Sequence, residues 1–122
     1  MKVLLLANEA PEDFELRENA KEFDRYMGAW YAYGESLEKA GVFVQGAALE
    51  PPATATVLSI RDGVRRVEDG PYPDTKEQLG GFFIVEVADL EEAAFWASKC
   101  PAATNGFVDA RVVPVFDEET SA

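Results

Sequence analysis

The densest set of reactive residue types lies in Asp69-Gly70-Pro71-Tyr72-Pro73, with Thr75-Lys76-Glu77 and Gly80-Gly81 close behind. Asp69 and Glu77 bring carboxylates, Lys76 a cation and Tyr72 a hydroxyl. The glycines let a ligand or another backbone come close. A carboxylate against apolar walls takes a raised pKa, as a proton-transferring group near neutral pH requires. Asp69 is therefore the candidate catalytic acid or base. The same residues also build ordinary loops, and Asp before Gly often starts a tight turn through its own side chain. Composition alone favours the turn.

Two further groups could bind a ligand. Tyr26, Trp30 and Tyr33 fall near one another on a helical wheel and could line a pocket, although such a stripe is more often core. Arg111 is a charge in an otherwise apolar strand. It could hold a carboxylate or phosphate bidentately, or pair with Glu86 across the sheet. The ligand expected of such a cleft is a small apolar or aromatic anion, with Trp30, Tyr33 and Tyr72 as walls and Lys76, Glu77 and Arg111 as polar contacts. Cys100 precedes Pro101 at a helix C-terminus, where the dipole disfavours a thiolate, so it reads as a packed residue.

Absences narrow the chemistry. The 122 residues include no histidine and one cysteine. Ser-His and Cys-His nucleophile pairs, histidine-ligated metals and an internal disulfide are excluded. There is no P-loop, no GxGxxG and no acidic calcium loop, so no cofactor is expected. The net charge of −12, from 23 acids and 11 bases, would repel a phosphate backbone, so no nucleic-acid partner is expected. No apolar run approaches the ~20 residues of a membrane span. The apolar start, the five residues Val3 to Ala7, is too short for the core of a signal peptide. A cytoplasmic location is the expectation.

The elements that must position these residues follow from periodicity. Lys2 to Ala7 reads as a strand, and the acidic, proline-containing stretch Asn8 to Asn19 as a loop with a helical turn. Phe23, Met27, Trp30, Gly34 and Leu37 recur at helical spacing, which predicts a helix from about Lys21 to Ala40, stopped by Gly41. Val42 to Leu49 is strand-like. Thr54 to Ile60 and Val64 to Glu68 flank the hairpin signal Asp62-Gly63. Gly80 to Val87 is a further strand. Asp89 and Glu92 resemble a capping box for a helix that Pro101 closes. Val108 to Phe116 is the last strand, with Pro114 marking an edge or a bulge. The order β-α-β, hairpin, β-α-β predicts an α+β ferredoxin-like plait with an extra β-hairpin, as one domain over 1–116 followed by an acidic tail, 117–122.

The strands predict a partner. Val3, Leu5 and Ala7 oppose Leu4 and Leu6, while Phe83, Val85 and Val87 oppose Phe82 and Ile84. A sheet with one face in water alternates apolar and polar, and these do not. Two helices cover one face, which leaves an apolar patch on the other. A two-fold homodimer is the expected closure; a monomer whose acidic segment covers the second face is the alternative.

These residues resemble the DGPF family of the YCII-related superfamily. The resemblance runs from Met1 to about Phe116. It is carried by Val64 to Asp69 with Gly70-Pro71-Tyr72, by Thr75-Lys76-Glu77-Gln78-Leu79-Gly80-Gly81-Phe82-Phe83, and by Ala40-Gly41-Val42 with Leu49-Glu50-Pro51-Pro52. The helix Asp89 to Cys100-Pro101 and Gly106 leading to Ala110-Arg111-Val112-Val113 complete it. The resemblance implies a ferredoxin-like fold forming a dimeric α/β barrel. It also implies kinship with small enzymes of lyase or isomerase type, and Asp69 as the group that carries over. Tyr72 stands where Phe is usual. Any family mechanism that uses histidine cannot operate here. A non-catalytic binding or regulatory dimer is the alternative function.

Overall fold

The computed structural model describes residues 1–70 and 75–116. Tyr72 and the acidic tail, 117–122, lie outside the described residues. Strands β1 (Lys2–Glu9), β2 (Phe43–Ala48), β5 (Gln78–Glu86) and β6 (Phe107–Val112) form one antiparallel sheet in the order β2-β5-β1-β6. Strands β3 (Thr56–Arg61) and β4 (Val64–Asp69) form a separate two-stranded hairpin. Helices α1 (Pro11–Leu16), α2 (Phe23–Lys39) and α3 (Leu90–Ser98) complete the fold. The expected ferredoxin-like plait with an added hairpin is what the chain forms.

Local chemistry sets the element ends. In α2, Gly41 has φ of 73°, and Val42 N–H and Gly41 N–H donate to the Leu37 and Glu38 carbonyls at 3.1 and 3.0 Å. That double closure needs a left-handed residue, which glycine supplies without steric cost. Asp89 caps α3 by accepting from Glu92 N–H at 2.9 Å, while the Glu92 carboxylate reaches Ala88 N–H at 3.3 Å. Asp62 and Gly63 take φ of 51° and 76°, the turn geometry that matches strand twist in a two-residue hairpin.

Three expectations need correction. The acidic segment is not mainly loop: Pro11 starts a short helix, as proline can where no N–H is required. The last strand ends at Val112, ahead of Pro114, which has no N–H to donate to a ladder. Arg111 cannot face Glu86 directly, because β1 lies between β5 and β6. Arg111 pairs with Asp109 at 2.9 Å, and Glu86 takes the N-terminal ammonium.

The core lies between the sheet and the helices. Val3, Leu5 and Ala7 on β1, Val85 on β5, Leu37 and Tyr33 on α2 and Ala93 on α3 are all buried. The Tyr33 hydroxyl donates to the Trp96 carbonyl at 2.8 Å and ties α2 to α3. Leu4, Leu6, Phe82 and Ile84 point to the other side of the sheet, where each keeps part of its surface exposed. The acidic segment does not cover them, because α1 sits toward the helix side, burying Phe14 and directing Arg17 to Glu9.

Candidate functional site

Glu9 continues the buried register of Val3, Leu5 and Ala7 and is only 1% exposed. A carboxylate taken out of water needs full hydrogen bonding and a counter-charge. Arg17, just past α1, supplies both: its Nη2 donates to Glu9 Oε2 at 2.9 Å. Tyr26, in the first turns of α2, donates its hydroxyl proton to Glu9 Oε1 and accepts from Arg17 Nε at 3.1 Å. Arg17 also donates to the Gly80 carbonyl at 3.2 Å and, through Nη1, to the Leu49 carbonyl. Four of its five N–H groups are thus bound within the protein. The Arg17 guanidinium also lies over the Phe14 ring, 4.9 Å from its centroid. Gly80 makes the arrangement possible, since a Cβ there would stand 1.8 Å from Glu9 Oε2.

This cluster closes one end of a cleft of about 850 Å³ between α2 and the β2–β5 edge of the sheet. Its walls include Tyr26, Trp30, Tyr31, Phe43 and Phe83. Phe83 is the hub. Its ring lies 6.3 Å from Trp30 and nearly parallel to it (9°), and meets Tyr33 edge-on at 5.1 Å. Gly46 leaves room for that ring, as a Cβ there would approach Phe83 Cδ1 to 2.8 Å. On the other side of Tyr26 and Trp30 lies a hollow of about 200 Å³ that Glu9, Asp13 and Asn105 also line. Asn105 Nδ2 donates to Asp13 Oδ1 at 3.2 Å. Tyr26 and Trp30 therefore stand in the partition between the two cavities, with Glu9 on the side of the smaller one.

The titration of the cluster follows from its surroundings. Burial, and then the hydrogen bond to Glu9, push the Tyr26 hydroxyl up to about 12. It is a neutral phenol at physiological pH, suited to donating or relaying a proton. Burial disfavours the Arg17 charge, but the contacts with Tyr26 and Glu9 outweigh that and leave its pKa raised. Among the described residues, no cluster of three or more His, Cys, Asp or Glu could hold a metal ion.

Of the residues expected to form a site, the structure brings Trp30 to the cleft. Tyr33 is buried beneath Phe83, and burial followed by the nearby Cys100 raises its hydroxyl strongly. Asp69 is exposed on β4, opposite Thr56. Lys76 is exposed and Glu77 half-buried in the approach to β5, where the Thr75 hydroxyl donates to the Glu77 carbonyl at 2.6 Å. Arg111 is exposed at the β6 edge and bound to Asp109, which raises its pKa. Burial pushes the Cys100 thiol up to about 11. Glu9 and Arg17 went unseen in the sequence, yet each left a trace. Glu9 is an acid in the apolar i, i+2 register of β1, and Arg17 is the one base between Lys2 and Lys21.

The plait, its added hairpin and an aromatic cleft closed at one end by Arg17 and Tyr26 describe a small α+β protein with a ligand-sized cavity among the described residues. The chain belongs to the YCII-related domain family, whose match covers residues 1–117. An uncharacterized protein of Rhizobium meliloti (strain 1021) is 36% identical over 77 residues, which are 63% of this chain and 62% of that protein. The match thus spans about three fifths of the relative's length. In fold the chain is similar to the 5-chloro-2-hydroxyhydroquinone dehydrochlorinase of Burkholderia phenoliruptrix AC1100, solved in complex with 2,5-dihydroxybenzoquinone. The TM-score is 0.52 at 19% identity, over 93% of this chain and 94% of that one. Among the described residues no helix is long and apolar enough to cross a membrane.

Proposed function

We propose that the cleft binds a small ring compound and that Tyr26 and Glu9 move a proton at its closed end, in a reaction of lyase or isomerase type. The carrying observation is Tyr26, which lines the cleft while its hydroxyl proton is held by the buried Glu9 carboxylate. A proton leaving a ligand carbon would pass to the Tyr26 oxygen as the Tyr26 proton passes to Glu9. Arg17, bound to both, would steady the charge as it shifts. The freed electron pair would form a double bond and either expel a leaving group or be reprotonated elsewhere. A structural neighbour named as a dehydrochlorinase of a chlorinated hydroxyhydroquinone fits this reaction class. Within the family we place the chain in the DGPF branch, on Asp69-Gly70-Pro71-Tyr72.

The test needs no prior substrate. Substituted phenols, hydroquinones and ring ketones with an acidic C–H are incubated with the protein in D₂O, and deuterium uptake is followed by mass spectrometry. The native chain is expected to catalyse exchange into at least one probe. Tyr26→Phe should slow it by ~10²-fold or more, the scale of a lost acid–base group. Exchange unchanged in Tyr26→Phe would remove the relay. Binding without exchange would leave the non-catalytic binding module.

A second reading keeps Asp69 as the acid or base. Its support is the β3–β4 pairing, which puts Asp69 on the same hairpin face as the exposed Leu58, Ile60 and Val67. A second copy packed on that face would also cover Asp69. Asp69→Asn abolishing exchange while Tyr26→Phe preserves it would favour this reading.

A further inference from the structure

We infer that the cleft selects ring compounds carrying a positive charge, such as aromatic or benzylic ammonium groups, over anionic ones. The inference rests on the cleft being a ligand site, as proposed above. It starts from the charges on the walls. Arg17 is the base among the described residues that line the cleft, and Glu18, Glu35, Glu38 and Glu50 are the acids. The Arg17 charge is compensated by Glu9, and all but one of its N–H groups are bound to protein atoms. An entering carboxylate would find one free donor there, on Nη1, and no uncompensated positive charge. Lys76 and Arg111, the bases that an anionic ligand would have used, do not line the cleft.

The acids are less well matched. Glu35 pairs with Lys39 at 2.7 Å. Glu18, Glu38 and Glu50 have no ion-pair partner among the described residues. A ligand at the mouth therefore meets three carboxylates that are in no ion pair among the described residues.

The aromatic walls point the same way. The faces of Trp30, Phe83, Phe43 and Tyr31 carry the negative side of their ring quadrupoles, and Trp is the strongest attractor of cations among them. Tyr31 is 70% exposed, a large aromatic held at the opening and not packed away. Apolar faces surrounded by unpaired carboxylates suit a flat cation, whose ring stacks while its charge sees both. The net charge of −12 adds a general attraction, but salt screens it beyond about 8 Å at physiological ionic strength, so the local carboxylates set the preference.

The test uses three probes of similar shape, benzyltrimethylammonium, benzyl alcohol and benzoate. They are titrated at low ionic strength against ¹⁵N-labelled protein, following the indole N–H of Trp30, assigned with Trp30→Phe. The ammonium is expected to bind at least ~10-fold more tightly than benzoate, the scale of a partly desolvated cation–π contact with carboxylate help. The preference should shrink in high salt. It should also largely vanish in Glu18→Gln/Glu38→Gln/Glu50→Gln. It should persist in Glu12→Gln/Glu15→Gln/Glu91→Gln, which removes as much charge from exposed sites outside the cleft. Equal binding of all three probes overturns the charge selection and leaves the cleft as a ligand site. A preference unchanged in the mouth variant overturns the role of those carboxylates. If no probe moves the Trp30 signal, this inference and the ligand-site reading fall together.

Discussion

Glu9 is the residue on which the site turns. Its carboxylate is buried and bound by Arg17 and Tyr26, so removing Arg17 leaves a charge in the protein interior with half its support. Arg17→Met is expected to cost ~3–5 kcal/mol in urea unfolding. Arg17→Met/Glu9→Gln should recover much of that, since no charge is then stranded. A double variant no more stable than the single one would mean that Arg17 acts through packing on Phe14 instead. Buried acidic groups, Tyr33 among them, also shape the alkaline limb of stability. Tyr26 and Cys100 have folded-state values raised from 10.0 to about 12 and from 9.0 to about 11. Between each pair of values the unfolded chain releases a proton that the folded chain keeps. Their contribution is full below pH 9 and is lost as pH rises from 9 to 12, by up to about 1.4 kcal/mol per pH unit for each group. Unfolding curves collected from pH 7 to 12 should fall through that window, and Cys100→Ala should remove the part that begins near 9. Little of this site was legible in the sequence. Asp69, Lys76 and Arg111 drew attention by type, but proximity depends on which strands meet. Arg17 and Gly80 are 63 residues apart and come together only through the β1–β5 register.

At the scale of elements far more was legible, because the signals are local. Asp62-Gly63, Ala40-Gly41 and Asp89 each fix geometry within a few residues, and the hairpin, the end of α2 and the start of α3 fall where those signals stand. Asp89→Ala is expected to lower stability by ~1 kcal/mol, the usual loss of a helix cap, with the transition slope unchanged. A loss below a few tenths would show that Glu92 and the packing of Ala93 hold α3 without its cap. The misread elements failed for equally local reasons. In the Asn8–Asn19 segment, acidity and Pro11 suggested loop, but proline at a first helical position and acids in a first turn both favour a helix start. Beyond Val112, hydrophobicity suggested more strand than the ladder supports: Val113 N–H makes the last bond, to the Lys2 carbonyl at 2.9 Å, and Pro114 ends the series.

At the scale of the whole molecule, apolar surfaces face outward among the described residues: Leu4, Leu6, Phe82 and Ile84 on the open side of the sheet, and Leu58, Ile60 and Val67 on the hairpin. Leu58 and Ile60 are 63% and 69% exposed, more than a lone soluble chain commonly leaves on one strand. We propose that a second copy covers them, the two-fold pairing already implied by the strand pattern. The hairpin face also carries Arg65 and Asp69, one base and one acid that a two-fold axis could match. The expected result is a dimer by sedimentation at micromolar concentration, and a monomer for Leu58→Lys/Ile60→Lys, with circular dichroism unchanged because neither side chain belongs to the core. Salt supplies an independent check. Each chain carries −12, so association must overcome repulsion between like-charged copies. An interface held by apolar contact should therefore tighten as salt screens that repulsion, whereas one held by Arg65–Asp69 pairing should loosen. Native protein that sediments as a monomer at both low and high salt would end the proposal. A dimer untouched by Leu58→Lys/Ile60→Lys would move the interface from the hairpin to the open face of the sheet.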